Sequence, residues 1–174
     1  LERVPGTALF EWRGPRREVA APYRIRWESH DARWHEGYDA YSFPLEIDGH
    51  DLARFAGGSH IHAHRFLGAH ERNVAGVRGI RFAVWAPNAE RVSVVGTFNH
   101  WDGRYHPMSV RGSSGVWELF VPEIGTGELY KYELYTRDSR ELRLKSDPYG
   151  GAFEQRPATA AGAEIPVIGQ AIDA

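Results

Sequence analysis

Arg91-Val92-Ser93-Val94-Val95-Gly96 alternates valines with polar or small residues, the pattern of a β-strand that buries one face. Directly after it comes Thr97-Phe98-Asn99-His100-Trp101-Asp102-Gly103, a polar loop that ends in a turn-forming Asp-Gly pair. Two interpretations of Trp101 are open from residue type alone. Because Trp is usually highly buried, the ring can fold back into the core. Alternatively, it can lie exposed as a flat platform for the apolar face of a sugar ring, with hydrogen-bonding groups around it.

The same alternation recurs through the second half of the chain. Four further short runs have it: Ile80 to Trp85, Val116 to Val121, Glu128 to Tyr135 and Glu141 to Leu144. Turn-forming residues separate the runs at the spacing expected of a β-sandwich, and no helix-length pattern intervenes. We therefore predict an all-β fold with two packed antiparallel sheets.

Three short segments in the first forty or so residues are similar in sequence to three segments of the second half. Leu9 to Trp12 is similar to Trp117 to Phe120, Tyr23 to Trp27 is similar to Tyr130 to Leu134, and Asp39 to Tyr41 is similar to Asp147 to Tyr149. The two segments of each pair are about 107 residues apart. Because similarity at a fixed offset indicates a repeated unit, residues 1–43 are interpreted as the C-terminal part of a first β-sandwich module. Chance similarity between short Tyr-rich strands is the alternative.

A linker and a tail flank the second module. Asp48 can cap a helix that carries Leu52 and Phe55 three residues apart, so we predict a linker with a short helix over residues 44–67. Toward the C-terminus the periodicity fades into small residues. Residues 158–174 are therefore predicted to be an extended or disordered tail.

The amino-acid composition limits the classes of binding partner and the cellular compartment that we expect. The 174 residues carry 21 basic and 23 acidic side chains, a net charge of -2, with no Lys or Arg run suited to binding phosphates. No apolar run approaches the roughly 18 residues of a membrane span. The absence of cysteine favours a reducing compartment. We expect a cytoplasmic protein with neither nucleic acid nor membrane as a partner.

No catalytic, metal or cofactor site is predicted from the residues. His60-Ile61-His62-Ala63-His64 is the obvious metal candidate, since its three histidines share one face on a strand and two of them share a face on a helix. No cysteine or clearly placed carboxylate completes a tetrahedron, so we interpret this stretch as a solvated linker. No pair of carboxylates can be nominated for glycoside chemistry. Ser113-Ser114 has no partner histidine.

Lys131 is the expected companion of Trp101. If Tyr130, Tyr132 and Leu134 fill the core, the period of a strand turns Lys131, Glu133 and Tyr135 outward. The Lys131 ammonium can then donate to sugar hydroxyls beside the ring. A solvated strand residue with no ligand is the alternative.

Seven stretches, in order along the chain, carry a family resemblance: Arg81 to Ala89, Val92 to Gly96, Phe98 to Gly103, His106-Pro107-Met108, Trp117 to Phe120, Tyr130 to Glu133 and Lys145 to Tyr149. Together they resemble the family 48 carbohydrate-binding module of bacterial 1,4-α-glucan (glycogen) branching enzymes. The resemblance covers about half of the chain and gives residues 68–157 as the module. It implies an immunoglobulin-like antiparallel β-sandwich, preceded here by the partial β-module and the short helical linker.

The resemblance also implies a function. Such modules precede a C-terminal catalytic (β/α)8 barrel that cuts an α-1,4 link and rejoins the chain as an α-1,6 branch. No barrel lies within these 174 residues, so we expect a non-catalytic role for this chain alone, binding α-glucan (glycogen or maltooligosaccharide) and scaffolding the barrel. The alternatives are a purely structural sandwich that braces the barrel, or a module of a related debranching or trehalose-releasing enzyme.

In related modules the loop Trp, the lysine of a Tyr-Lys-Tyr strand and a second aromatic hold the glucan. Trp101 and Lys131 match the first two, and we expect Asn99 and Asp102 of the same loop to complete the site. No ring stands near Arg140-Glu141-Leu142, where the second aromatic would fall. Because each stacking platform contributes on the order of 1 kcal/mol, the resemblance implies weak binding, with a dissociation constant of roughly millimolar order.

Overall fold

Two antiparallel sheets pack face to face in the second half of the chain. The computed structural model describes residues 1–15, 19–137, 140–153 and 160–163. Its strands are β1 (Glu2–Arg3), β2 (Phe10–Glu11), β3 (Arg24–Glu28), β4 (Trp34–Tyr38), β5 (Gly68–Val74), β6 (Val77–Trp85), β7 (Ala89–Gly96), β8 (Ser109–Val110), β9 (Val116–Pro122), β10 (Leu129–Thr136), β11 (Leu142–Lys145), β12 (Ala152–Phe153) and β13 (Ala161–Gly162), and its α-helix is α1 (Gly49–Ala56). The first sheet has the order β5-β6-β9-β8. The second places β10 between β7 on one side and β11 with β13 on the other.

The predicted all-β sandwich is confirmed, and its five predicted strands are present as β6, β7, β9, β10 and β11. The sequence pattern does not indicate β5, because His70-Glu71-Arg72-Asn73 interrupts the apolar alternation in its middle. Part of the predicted tail also completes a sheet, since Ala161 and Gly162 pair with the start of β10. Residues 164–174 lie outside the described residues.

Strand β10 shows the alternation that its sequence predicts. Tyr130 and Tyr132 are fully buried in the main core, and Leu134 packs at its margin. Lys131 and Glu133 lie on the opposite face of the same strand and are half-buried. The two faces therefore divide the strand into a core side and an outer side.

Strand β9, in contrast, is buried on both of its faces. Leu119 and Val121 belong to the core between the sheets. On the other face, Val116 and Phe120 contact the segment that precedes β5, and the Phe120 ring lies 4.8 Å from the ring of Phe43. The predicted linker is thus a packed layer that covers the outer face of the first sheet.

Glu118 fastens this layer to the sheet. Its carboxylate is 1% exposed and accepts hydrogen bonds from the backbone N–H groups of Glu46 (2.7 Å) and Ile47 (3.1 Å). The Arg111 guanidinium lies 3.1 Å from the same carboxylate and donates to the Ile47 carbonyl at 2.6 Å. A buried charge is tolerated only when it is paired and hydrogen-bonded. Glu118 meets that condition, and two of its hydrogen bonds come from the backbone of the linker.

Helix α1 begins after Asp48, whose side chain accepts from the N–H of His50. The helix is followed by the histidine stretch, and the expectation that this stretch is solvated is wrong for two of its members. The Nε2 atom of His60 lies 2.9 Å from the Asp51 carboxylate, and Ala63 is buried. In the ranges that the structure describes, no three His, Cys, Asp or Glu side chains are grouped to hold a metal ion.

Two hairpins, β1-β2 and β3-β4, form the N-terminal part. The second is tied to the sandwich: Arg24 pairs with Glu123 at 3.5 Å, and the Tyr41 hydroxyl, just after the hairpin, donates to the Pro107 carbonyl at 3.0 Å. The assignment of residues 1–43 to a repeated module stays a prediction. Within the described part of the chain, the helices are too short or too polar to cross a lipid bilayer.

Asp147 is a second buried carboxyl, and it lies in the main core. The Tyr130 hydroxyl donates to it at 2.6 Å and the Tyr132 hydroxyl at 3.1 Å, while the Tyr149 N–H donates to its other oxygen at 2.8 Å. Burial raises the pKa of Asp147, and these three hydrogen bonds offset the increase only in part. The folded protein therefore favours the protonated form of this carboxyl more than the unfolded chain does.

We expect Asp147→Asn to change the pH dependence of stability. The contribution of a group with a raised folded pKa is fully present below its unfolded pKa, about 4, and is lost as pH rises through the folded value. The Asn variant keeps an acceptor for the tyrosines and lacks this decline. Urea denaturation between pH 4 and 8 measures it. Asp147→Ala is the control: it lacks the decline as well, but its stability lies about 1–3 kcal/mol below that of the Asn variant at every pH, since the tyrosine hydroxyls lose their acceptor. Parallel pH curves for wild type and the Asn variant would contradict the assignment.

Candidate binding site at the Trp101 loop

The loop after β7 is held by one buried side chain, Asn99. Its Oδ1 accepts from the Gly96 N–H at 2.8 Å, and its Nδ2 donates to the Val94 carbonyl at 2.9 Å and lies 2.9 Å from Nδ1 of His106. Asn99 is 3% exposed. Its amide is engaged within the loop, so the structure gives this sequence-predicted binding residue a positioning role.

The two residues after Asn99 have left-handed backbone conformations. His100 has φ 56° and Trp101 has φ 61°. This region is uncommon for residues with a Cβ and is unusual for bulky ones, with a cost of roughly 1–2 kcal/mol per residue. A hydrogen bond of 3.0 Å from the Trp101 N–H to the Gly96 carbonyl holds the turn closed. Such strain persists only where the surroundings fix it, and it is most frequent at functional sites.

The side chain of Trp101 is 40% exposed, and it belongs to none of the buried clusters. The interpretation of this Trp as a core residue is therefore wrong. The other Trp residues of the module differ in their environments. Trp117 is buried and donates to the Ala86 carbonyl at 3.1 Å, while Trp85 packs edge-on against Phe55 of α1.

Asp102 lies beside Trp101 and is paired within the loop. Its carboxylate accepts from the Arg104 N–H at 2.9 Å and from the Arg104 guanidinium Nε at 2.9 and 3.0 Å. These hydrogen bonds from Arg104 lower the pKa of Asp102 to about 2. Asp102 is therefore ionised at neutral pH, and it can offer a sugar hydroxyl only an acceptor.

The loop returns over the outer face of β10, the face that carries Lys131. A Cβ added at Gly103 would collide with the carboxylate of Glu133, so the loop backbone rests directly against that side chain. Lys131 is two residues from Glu133 on the same face and is paired in register with Val95, next to the start of the loop. The loop and the lysine thus belong to one surface.

Tyr135 lies on the outer face, as the strand period predicts, under the Arg91 guanidinium, which is 5.9 Å from the ring centroid. Sequence reasoning missed two further members of this surface. Leu142 and Leu144 pair with Tyr135 and Glu133 in register, and each is 56% exposed. The period-two spacing from Lys131 identifies Tyr135 from sequence alone, but the two leucines require the register between β10 and β11.

A protein-family model matches the part of the chain that carries this surface. Residues 66–150 match the family model described as carbohydrate-binding module 48, isoamylase N-terminal domain. The matched range contains the Trp101 loop, Lys131 and both sheets apart from the short β12 and β13.

Curated relatives extend the match to nearly all of the chain. A 1,4-alpha-glucan branching enzyme from Cellvibrio japonicus is 50% identical over 159 residues, 91% of this chain and 22% of that protein. The corresponding enzyme from Nitrosococcus oceani is 52% identical over 160 residues, 92% of this chain and 21% of that protein. The chain thus spans about a fifth of the length of these relatives. Among solved structures, ligand-free PulA from Klebsiella pneumoniae is 25% identical with a TM-score of 0.45, over 56% of this chain and 9% of that one.

Comparison of Trp101→Gly with Trp101→Ala tests the backbone strain. Both variants remove the ring, so their difference in stability isolates the conformation at φ 61°. We expect the Gly variant to be more stable than the Ala variant by about 1 kcal/mol, since Gly adopts this region without a steric cost. Chemical denaturation measures the difference. In an ordinary backbone conformation the order is reversed, so an Ala variant at least as stable as the Gly variant would contradict the strained geometry.

Proposed function

Because residues 66–150 belong to the family 48 carbohydrate-binding modules, we propose that this chain is a non-catalytic module that binds α-glucan and supports a catalytic domain. The observation that carries the proposal is the Trp101 loop. A bulky aromatic is held exposed at a strained backbone position by a fully engaged buried amide, on the surface that also carries Lys131.

The chemistry of this surface suits a glucan chain. The Trp101 ring offers an apolar plane for the C–H face of one glucose unit. Around it, Lys131 supplies donors and Asp102 supplies acceptors for the hydroxyls. In this assignment Asn99 acts on the ligand only through the loop that it holds, which narrows the set expected from sequence to Trp101, Lys131 and Asp102.

The proposal extends to the whole protein. The names of the relatives support a 1,4-α-glucan branching enzyme, a transferase of glycogen synthesis, whose catalytic barrel is the partner of this module. In that protein the module would hold a glucan chain loosely while the barrel performs the chemistry. The expected cytoplasmic location and the expected lack of activity of this chain alone stay predictions.

Affinity electrophoresis in glycogen-containing gels tests the binding surface. We expect Trp101→Ala and Lys131→Met each to reduce retardation, with a loss of about 1 kcal/mol for the ring, or roughly fivefold in affinity. Lys145→Met is the matched control. It removes the same charge from β11 at a position opposite Tyr132, on the face away from the loop.

If wild type and both variants migrate alike in the presence and absence of glycogen, the binding role fails and the purely structural brace replaces it. If Lys145→Met weakens binding as much as Lys131→Met does, the effect is one of overall charge. Denaturation midpoints of each variant separate lost binding from lost folding.

A gain of function is expected at Leu144. This exposed leucine faces outward beside Glu133, at a position of the surface that carries no aromatic ring. We expect Leu144→Trp to tighten glucan binding by about three- to tenfold, since a second stacking ring adds roughly 0.5–1.5 kcal/mol. Arg143→Trp, on the other face of the same strand, serves as the control. Equal affinity of the two variants in isothermal titration with maltoheptaose would show that Leu144 lies outside the site.

A further inference from the structure

A second aromatic surface lies between the β3-β4 hairpin and the loop that carries Trp101. The two elements enclose a groove of about 410 Å³, which is within the usual range for small-ligand sites. Trp27 lines it from the hairpin, and Tyr105 and His106 line it from the loop. Asp39, Tyr41 and Glu123 are also among its lining residues.

The rings of this groove are exposed and held in place. Trp27 is 48% exposed, and its ring stacks on His35 with the centroids 5.6 Å apart and the planes 18° from parallel. Tyr105 on the facing wall is also exposed. Tyr41 is anchored by its hydroxyl to Pro107, which leaves its position fixed relative to the loop. The groove therefore offers flat apolar surfaces on both walls.

Two carboxylates, Asp39 and Glu123, line the groove. Asp39 accepts from the Tyr23 hydroxyl at 2.6 Å and from the Tyr41 N–H at 3.0 Å. Arg24 lies 3.5 Å from Glu123 and 3.0 Å from Glu36, so its charge is shared between them. Burial lowers the pKa of His106, so its ring is neutral at pH 7. Because Asn99 Nδ2 donates to His106 Nδ1, the proton of the neutral ring is on Nε2, which makes that atom a donor. Flat rings with a neutral donor and carboxylate acceptors suit a ligand rich in hydroxyls, and the two carboxylates disfavour an anion.

We propose that this groove is a second α-glucan subsite, distinct from the outer face of β10. The choice of ligand rests on the proposed function of the Trp101 surface. The groove is continuous with that surface through the loop, because Tyr105 and His106 follow Trp101 by four and five residues and His106 contacts the amide that holds the loop. One glucan chain, or two neighbouring branches, can then engage both surfaces.

Trp27→Ala and Trp34→Ala form a matched pair that tests the subsite. Both tryptophans are on the β3-β4 hairpin and exposed to a similar degree, but Trp34 is paired with Glu28 and points to the opposite face, against Arg26. The whole chain is titrated with maltoheptaose and run in glycogen gels. We expect about fivefold weaker binding for Trp27→Ala and for Tyr105→Ala, unchanged binding for Trp34→Ala, and recovery of most of the affinity in Trp27→Phe.

The same substitutions in the Trp101→Ala background separate the two surfaces. We expect residual glycogen retardation in Trp101→Ala and its loss when Trp27→Ala is added. Complete loss of binding in Trp101→Ala alone would overturn the second subsite and leave the proposed function intact. Loss in Trp27→Ala with no effect of Trp101→Ala would support the groove and overturn the Trp101 site. Equal effects of Trp27→Ala and Trp34→Ala, or a change of oligomeric state in either, would overturn the groove as a glucan subsite.

Discussion

The buried carboxylate of Glu118 is the constraint on which the arrangement of this chain depends. A charge that is 1% exposed on the outer face of a sheet is costly unless it is fully paired. Here the pairing comes from Arg111 and from two backbone N–H groups of the segment before β5. The segment therefore cannot move away from the first sheet without removing two of the hydrogen bonds that satisfy this buried charge. Removing one partner of such a group costs about 3–5 kcal/mol.

This constraint also sets the position of the two surfaces proposed to bind glucan. With residues 46 and 47 fixed to Glu118, the chain just before them packs Phe43 against Phe120 and Tyr38 against Phe43. The β3-β4 hairpin is thereby placed beside the loop that follows β7, and Tyr41 bonds directly to that loop. The groove between hairpin and loop is thus a consequence of how the outer face of the first sheet is covered.

The sequence predicts the strands that bury one face and expose the other, because only these strands alternate apolar and polar residues. The alternation in β10 identifies Tyr130 and Tyr132 as core residues and Lys131 as an outward one, since a one-residue slip would reverse all three. It cannot reveal that the outer face of β9 is covered as well, because the covering residues are about fifty or more positions away in the chain. It also cannot distinguish a ligand-binding amide from a loop-holding one. Asn99 has the same side chain in both roles, and only the closed loop shows where its hydrogen bonds go.

The backbone of the Trp101 loop is the strongest argument for a function of this surface. Left-handed conformations at His100 and Trp101 together cost roughly 2–4 kcal/mol, while the hydrogen bonds of Asn99 contribute about 1 kcal/mol each. Stability alone would therefore favour Gly at position 101, where a bulky ring gains little from partial burial. A large, half-exposed aromatic at a strained position is explained by what it presents to solvent. A flat plane held rigidly loses little conformational entropy on binding, so even one platform can hold a neutral ligand weakly.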